Sequence, residues 1–412
     1  MQENYYKRIN CRQCESDDLS LAIKLKKSPL ANDYSTSKKS INDELYPLNV
    51  YFCNNCKHLQ LLDVVNPKKL FENYVYVSGT SPVFVEHFKN YAKYLVNNFS
   101  GKGLAIDIGS NDGTLLKFFK DLDFTVIGIE PAKKIAEEAK RNGINTLVEF
   151  FDPLLAESIK KKEGEAKFIT ANNVFAHIDN PISFLEGVRI LLSNDEGIFS
   201  FEVSYLRDVI KNNFFDTIYH EHLDYHTLLP LKKLMLRCGF EIIDALPINT
   251  HGGSLRVISQ LQGGKYKVSS SVERLIKEEK ILGLDSLITY KRFSENIYNV
   301  GEKLKQVLKE IKSQGKSIVG YGAPAKATTL MHHFGIGKDI IDFIVDDSEW
   351  KHSLYTPGKG IPIVPSSFIR KHNPDYILIL AWNFSKSIIE KNSEFKFKGG
   401  KFIIPLPEVE IV

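Results

Sequence analysis

Residues 101–119, GKGLAIDIGSNDGTLLKFF, constrain the fold more than any other stretch: a short apolar strand runs into a glycine-bearing turn and then into a helix with apolar positions at helical spacing. This is the first unit of a doubly wound α/β sheet. The turn reads Asp107-x-Gly109-x-Asn111-x-Gly113. An acidic residue closes the strand, and the glycines let the backbone approach a ligand closely. A second strand, FTVIGIE, ends in Glu130 about twenty residues further on, the spacing of one β-α-β unit, and a carboxylate there can accept both hydroxyls of a ribose. Two further strands are expected at AKFITANN (166–173) and GIFSFEV (197–203), with helical stretches between them.

An acidic strand end, a glycine turn and a second acidic strand end resemble the cofactor site of the class I methyltransferases, which holds the two halves of S-adenosylmethionine with no phosphate to neutralise. A nicotinamide-dependent dehydrogenase or epimerase is the competing reading. It is set back by Asn111, which stands where the phosphate-binding fingerprint has its middle glycine. After the third strand, VEFFD brings Phe151 to a place where an aromatic ring can stack on adenine, although the same ring suits a core position.

Ahead of this unit, Cys11 and Cys14 form one C-x-x-C and Cys53 and Cys56 a second, using four of the five cysteines. Paired knuckles of this kind supply four thiolates to a tetrahedral Zn²⁺, and a shell closed by four protein ligands stabilises a small segment without doing chemistry. The 38 residues from 15 to 52 exceed the usual spacer, so an inserted loop is expected at NDYSTSKKSINDE. Cys238 reads as structural. At 412 residues the chain is too long for one core. Its net charge of +4, from 54 basic and 50 acidic residues, is too balanced for non-specific nucleic-acid binding. No apolar stretch is long enough to span a bilayer and the start lacks a signal-peptide core, so a cytoplasmic protein that binds neither membrane nor nucleic acid is expected.

Beyond the fifth strand, FFDTIYHEHLDYHT crowds Tyr219, His220, Glu221, His222, Asp224, Tyr225 and His226 together, a cluster costly to bury without purpose. Carbon methylation needs a base, because a C–H bond beside a ketone must lose its proton before that carbon can attack a methyl. Histidine is the side chain best poised for this near neutrality. The spacing is not H-E-x-x-H, which disfavours a zinc hydrolase.

YVYVSGTSP, DIGSNDGTLL, NNVFAHIDNP, YHEHLDYHT, THGGSLRV and KSIVGYGAPAKATTL, together with the cysteine pairs, run through most of the chain in order. Collectively they resemble the nucleotide-sugar C-methyltransferases of branched deoxysugar pathways, which act at C-3 of a 4-keto sugar. The resemblance implies a zinc-binding module, a central S-adenosylmethionine domain and a C-terminal α/β domain that helps to hold a nucleoside-diphosphate sugar. It places the catalytic base at His222, with Tyr219 and Glu221 shaping the sugar pocket and Asn173 and His177 facing the sugar. Tyr76 is carried as a further catalytic candidate ahead of Tyr74, and His251 and Arg256 as substrate-binding candidates.

The last segment again reads as α/β: the strand and turn KSIVGYG, the helix APAKATTLMHHF, then strands DFIVDDS and DYILILAW. The turn at Gly320, Tyr321, Gly322 and Ala323 is expected to take a pyrophosphate at the helix N-terminus with Lys326 as counter-charge, Tyr321 also lining the substrate site. Asp346 and Asp347 would either meet a ribose or cap a turn. Charged stretches between 268 and 314 read as connecting helices. The expected domains are 1–70, 71–262 and 263–412, in a monomer or small homo-oligomer. A non-catalytic sugar-binding relative is the remaining alternative.

Overall fold

The computed structural model describes residues 5–41, 44–72, 77–80, 82–250 and 252–412; Tyr74, Tyr76 and His251 lie outside them. Three large sheets organise the described residues, beside a two-stranded antiparallel pair of Tyr5–Lys7 with Asp63–Val65. The central one has seven strands in the order Phe240–Ile248, Ser254–Leu261, Ile198–Ser204, Ala166–Asn172, Leu104–Ile108, Thr125–Ile129 and Thr146–Leu147. The last five are parallel, whereas Ser254–Leu261 inserts antiparallel between Ile198–Ser204 and Phe240–Ile248. LAIDI is buried at every position because helices cover both faces of the sheet. Pro82–Asn98 and Thr114–Asp121 pack on one face around Tyr91, Phe119 and Phe168, and Pro181–Leu191 and Leu228–Arg237 on the other around Phe184, Phe199 and Leu231.

The glycine turn has the conformation its sequence requires. Gly109 and Gly113 have φ of 71° and 80°, and Asn111, standing for the middle glycine, has φ of 50°, a left-handed geometry that asparagine tolerates better than most residues. A Cβ on Gly109 would come within 2.3 Å of the Val174 side chain. The strand ends and turn of this unit therefore fall where the sequence pattern places them.

The third sheet orders Ile363–Pro365, Ile344–Asp346, Ile318–Tyr321, Tyr376–Ile379, Lys401–Ile404 and Glu410–Ile411, all parallel except the last pairing. The charged stretches before it are the helices Ser270–Ile281 and Leu287–Ser313. Val272, Leu275 and Ile276 of the first join the core of the central sheet, and Tyr290, Phe293 and Ile297 of the second pack with the N-terminal module. The linker is therefore part of two cores rather than a free tether.

The N-terminal sheet runs Leu19–Lys24, Asn49–Cys53, Leu59–Leu61, and its fourth strand, Asp224–Tyr225, comes from the histidine-rich segment more than 160 residues later. Tyr225 pairs with Leu59 and Asp224 with Gln60. The same segment is gripped from the C-terminal domain, where Thr329 Oγ1 donates to Ile218 O at 2.8 Å and Trp382 Nε1 to Asp216 Oδ2 at 2.6 Å. Its far end is held by Glu279, whose carboxylate accepts from the N–H groups of Leu228 and Leu229, opening the helix Leu228–Arg237, and from the Tyr205 hydroxyl. Thr227, the residue before that helix, makes no side-chain cap of its own, so Glu279 supplies it from another element. Replacing Glu279 with alanine leaves buried donors unpaired. The expected cost is about 2–3 kcal/mol, read as a lower urea midpoint in equilibrium unfolding.

Candidate active site and metal centre

The cysteine pairs converge. The four Sγ atoms lie within 4.8 Å of one another, with Cys11 to Cys56 at 3.6 Å and Cys14 to Cys53 at 3.5 Å. Tetrahedral Zn–S bonds of about 2.3 Å require sulfur separations of roughly 3.7 Å, so the residues present fit the ion. The two knuckles share one turn geometry. Glu15 and Lys57, each just after its pair, have φ of 63° and 75°, and each donates its N–H to the first cysteine of its own knuckle, at 2.8 and 2.9 Å.

Next to this cluster, the fully buried Arg12 donates to Leu223 O at 2.8 Å and lies 3.6 Å from Asp224 Oδ1, to which His58 also bonds. Burial pushes the Asp224 carboxyl up, yet Arg12 and His58 hold it below its ordinary value. Arg12 follows Cys11 and His58 comes two residues after Cys56, so both links from the cysteine cluster to the histidine-rich segment are short. Chelating the metal under reducing conditions is expected to lower both the thermal midpoint and methyl transfer, checked by calorimetry and assay on the same sample.

The three histidines at 220, 222 and 226 have separate surroundings. His220 is buried and donates from Nε2 to Pro47 O at 3.1 Å, with its ring against Tyr46. His226 is buried between Phe175 and His58. His222 alone joins other candidate residues: Tyr219 lies 4.1 Å away between ring centroids and His177 5.2 Å away, and His177 stacks in turn on Phe71. His222 Nδ1 meets Thr217 O at 2.7 Å. A carbonyl only accepts, so the proton is assigned to Nδ1 and the lone pair is left on Nε2. Burial lowers the His222 pKa to about 4 and that of His177 well below its ordinary value, with His222 adding to the latter. Both rings are neutral at neutral pH. Glu221 is buried, its carboxyl raised to about 7 by burial against the opposing effect of Asn32, whose Nδ2 donates to Oε1 at 2.7 Å. Asn173, just past the fourth parallel strand, has φ of 55° and donates its N–H to Glu202 O.

In the cofactor region, Asp107 is buried, accepts from Thr170 Oγ1 at 2.6 Å and is raised to about 7 by burial. Glu130 accepts from the N–H groups of Asn111 and Ala132, tying the glycine turn to the second strand end. Each of its oxygens keeps a further lone pair, so the carboxylate suits ribose hydroxyls as well. Sequence reasoning missed Asp112, which accepts from Gly79 N–H and from the N–H and hydroxyl of Thr114, while Asn111 Oδ1 accepts from Ser78 N–H. These bonds draw the SGT segment over the turn. The serine and glycine of SGTSP were the available signal.

Several residues expected to meet cofactor or substrate have other partners in the structure. Phe151 packs edge-on to Phe184 at 5.3 Å and against Gly187, where a Cβ would come within 3.0 Å of the ring, so this half-buried ring lies against the edge of the central core. Arg256 pairs with Glu202 at 2.6 Å and lies 3.8 Å over Tyr91, a buried ion pair that spends its charge inside the sheet. The Tyr321 ring is 2% exposed among Ile379, Ile388 and Phe395, and its hydroxyl donates to Asp347. Asp346 caps the Gly320–Ala323 turn, taking the Ala323 N–H at 2.7 Å, so a carboxylate already occupies the place expected for a pyrophosphate. Lys326 sits 3.9 Å over the Trp382 ring, its pKa lowered by burial and raised by Asp216, so it faces the histidine-rich segment rather than the turn.

If Glu130 meets the ribose, Glu130→Ala should weaken S-adenosylhomocysteine binding about 10- to 100-fold, measured by titration calorimetry.

Among the described residues no helix is long and apolar enough to cross a membrane. Comparison with known proteins matches residues 11–71 to a zinc binding domain, 85–245 to a methyltransferase domain and 249–407 to a C-methyltransferase C-terminal domain. C-methyltransferase NovU of Streptomyces niveus is 32% identical over 405 residues, covering 98% of this chain and 96% of that one. Solved structures that align in part include magnesium protoporphyrin IX methyltransferase from Synechocystis PCC 6803 with bound S-adenosylmethionine, at 14% identity over 42% of this chain and 78% of that one, TM-score 0.33. An S-adenosylmethionine-dependent methyltransferase from Clostridium acetobutylicum aligns at 13% identity over 43% and 92%, TM-score 0.35. Three domain models in succession and a relative matched nearly end to end make this chain a member of the C-methyltransferase family, an S-adenosylmethionine-dependent C-methyltransferase with a zinc-binding module.

Proposed function

We propose that the acceptor is the carbon beside the ketone of a nucleoside-diphosphate-linked 4-keto-hexose, and that His222 removes its proton. The observation that carries this reading is the His222 geometry: Nδ1 is pinned to Thr217 O at 2.7 Å, and Tyr219 and His177 stand on its flanks. A heteroatom acceptor brings its own lone pair and needs a base less; a neutral imidazole with a fixed tautomer is what a carbon acid requires. S-adenosylmethionine, when bound, supplies the electrophilic methyl. His222 Nε2 takes the proton from carbon, the Tyr219 hydroxyl steadies the charge that develops on the keto oxygen, and the Glu221 carboxylate accepts from a sugar hydroxyl and so holds the ring in place. His177, kept neutral by burial, adds no competing positive charge beside the base.

The nucleotide-sugar class rests on the resemblance of motifs through most of the chain to the nucleotide-sugar C-methyltransferases, and the C-terminal domain is the proposed holder of the nucleotide. Tyr321 and the Gly320–Ala323 turn are engaged by Asp347 and Asp346, so they would have to exchange those partners to meet it. A screen of methyl transfer over dTDP-, GDP- and CDP-linked 4-keto-hexoses tests the substrate class.

On the sugar that turns over, His222→Asn should lower kcat about 10²–10⁴-fold while S-adenosylhomocysteine binding and the thermal midpoint hold. Near wild-type turnover would remove His222 as the base. A base acts only when unprotonated, so the His222 contribution is present above its pKa and is lost on acidification through about 4, seen as the acid limb of the rate profile.

A further inference from the structure

The loop between the cysteine pairs does more than lengthen the spacer. Ala31 O accepts from Thr328 Oγ1 at 3.1 Å, the Tyr34 hydroxyl donates to Ala323 O at 2.6 Å, and Ser35 exchanges two backbone hydrogen bonds with Tyr355 at 3.1 and 2.8 Å. The three anchors are all on the C-terminal domain. Asn32 lies between the first two and turns the other way, into the methyltransferase side, where its Nδ2 reaches Glu221 Oε1 at 2.7 Å. Among the described residues no other side chain is recorded donating to that carboxyl.

We propose that Asn32 is a positioning residue of the active site: suspended from the C-terminal domain, it orients the Glu221 carboxyl toward the substrate and favours its ionised form. The proposal rests on the reading of Glu221 as a pocket residue. An amide N–H bonds a carboxylate more strongly than a neutral acid, so the bond biases protonation as well as direction. The surrounding titratable groups are few. His220 and His222 flank Glu221 in its own segment, Tyr34 comes from the Asn32 loop, and Asp346 and Lys351 stand behind Tyr34 on the C-terminal domain. Burial keeps the carboxyl near the middle of the physiological range, where one donor decides how much of it is charged. A segment of the N-terminal module, placed by the C-terminal domain, thereby sets the charge in the central domain's site.

The test uses the full chain, its Asn32→Ala, Asn32→Asp and Glu221→Gln variants, and the Asn32→Ala/Glu221→Gln double variant. The first readout needs no substrate. Asn32 stabilises chiefly the ionised carboxyl, so the fall in thermal midpoint caused by Asn32→Ala should be larger at about pH 8.5 than at about pH 5.5, and Glu221→Gln should abolish that difference. Asn32→Asp keeps the shape, and it should be destabilising at the higher pH, where two carboxylates face each other, and milder at the lower. A fall that is equal at both pH values, or that survives in the Glu221→Gln background, would overturn the proposal. The second readout is turnover on the nucleotide-linked 4-keto-hexose found in the screen. Asn32→Ala should lower kcat about tenfold with KM little changed, and should add nothing to Glu221→Gln. Full additivity would again overturn it. Wild-type turnover in Glu221→Gln would instead sink the placing of Glu221 in the pocket, an outcome the stability readout keeps separate.

Discussion

The pairing of Asp224–Tyr225 onto the strand Leu59–Leu61 is the contact on which the rest of the active site depends. It makes the histidine-rich segment the edge strand of another domain's sheet. A segment with this many ionisable groups cannot be buried by apolar packing, and each buried charge must find a partner. Asp224 finds Arg12 and His58, both beside metal ligands, so the sulfur cluster that holds the small module rigid also holds the floor under His222. Removing one partner of such a buried pair typically costs several kcal/mol.

The other grips on the segment follow the same logic. The C-terminal domain contributes Thr329 and Trp382, the linker helix contributes Glu279, and the inserted loop contributes Asn32. Apolar residues from the module, from 206–225 and from the C-terminal domain form one continuous core around these bonds. The central domain supplies the glycine turn and the carboxylates expected to meet the cofactor. The histidine-rich segment is held from outside it, by the N-terminal module, the linker helix and the C-terminal domain.

Much of this was legible in the sequence. The strands LAIDI and TVIGI, the glycine turn with its left-handed asparagine and the two cysteine knuckles are local patterns, in which residues a few positions apart determine one another's backbone. The candidate site was legible only as a crowded segment, because three histidines in seven positions look alike until their neighbours are known. His220 and His222 each bond one backbone carbonyl, Pro47 O and Thr217 O, and Phe175 and His58 enclose His226; His222 differs in being only half-buried, with Tyr219 and His177 beside it. Lys326 and Tyr321 misled because a glycine turn before a helix reads as an anion site from sequence, whereas Asp346 and Trp382, brought in from later strands and loops, had already claimed the turn and the lysine.

The sequence by itself determined the α/β class, the glycine turn and the clustered cysteines. Each is specified by short-range spacing, which survives without any knowledge of the fold. Only the tertiary structure decided which histidine is partly exposed beside Tyr219 and His177, that Arg256 is consumed by Glu202, and that Asn32 meets Glu221 from 189 positions away. Those outcomes depend on which buried charge reaches which partner first in three dimensions, and periodicity along a chain carries no record of that.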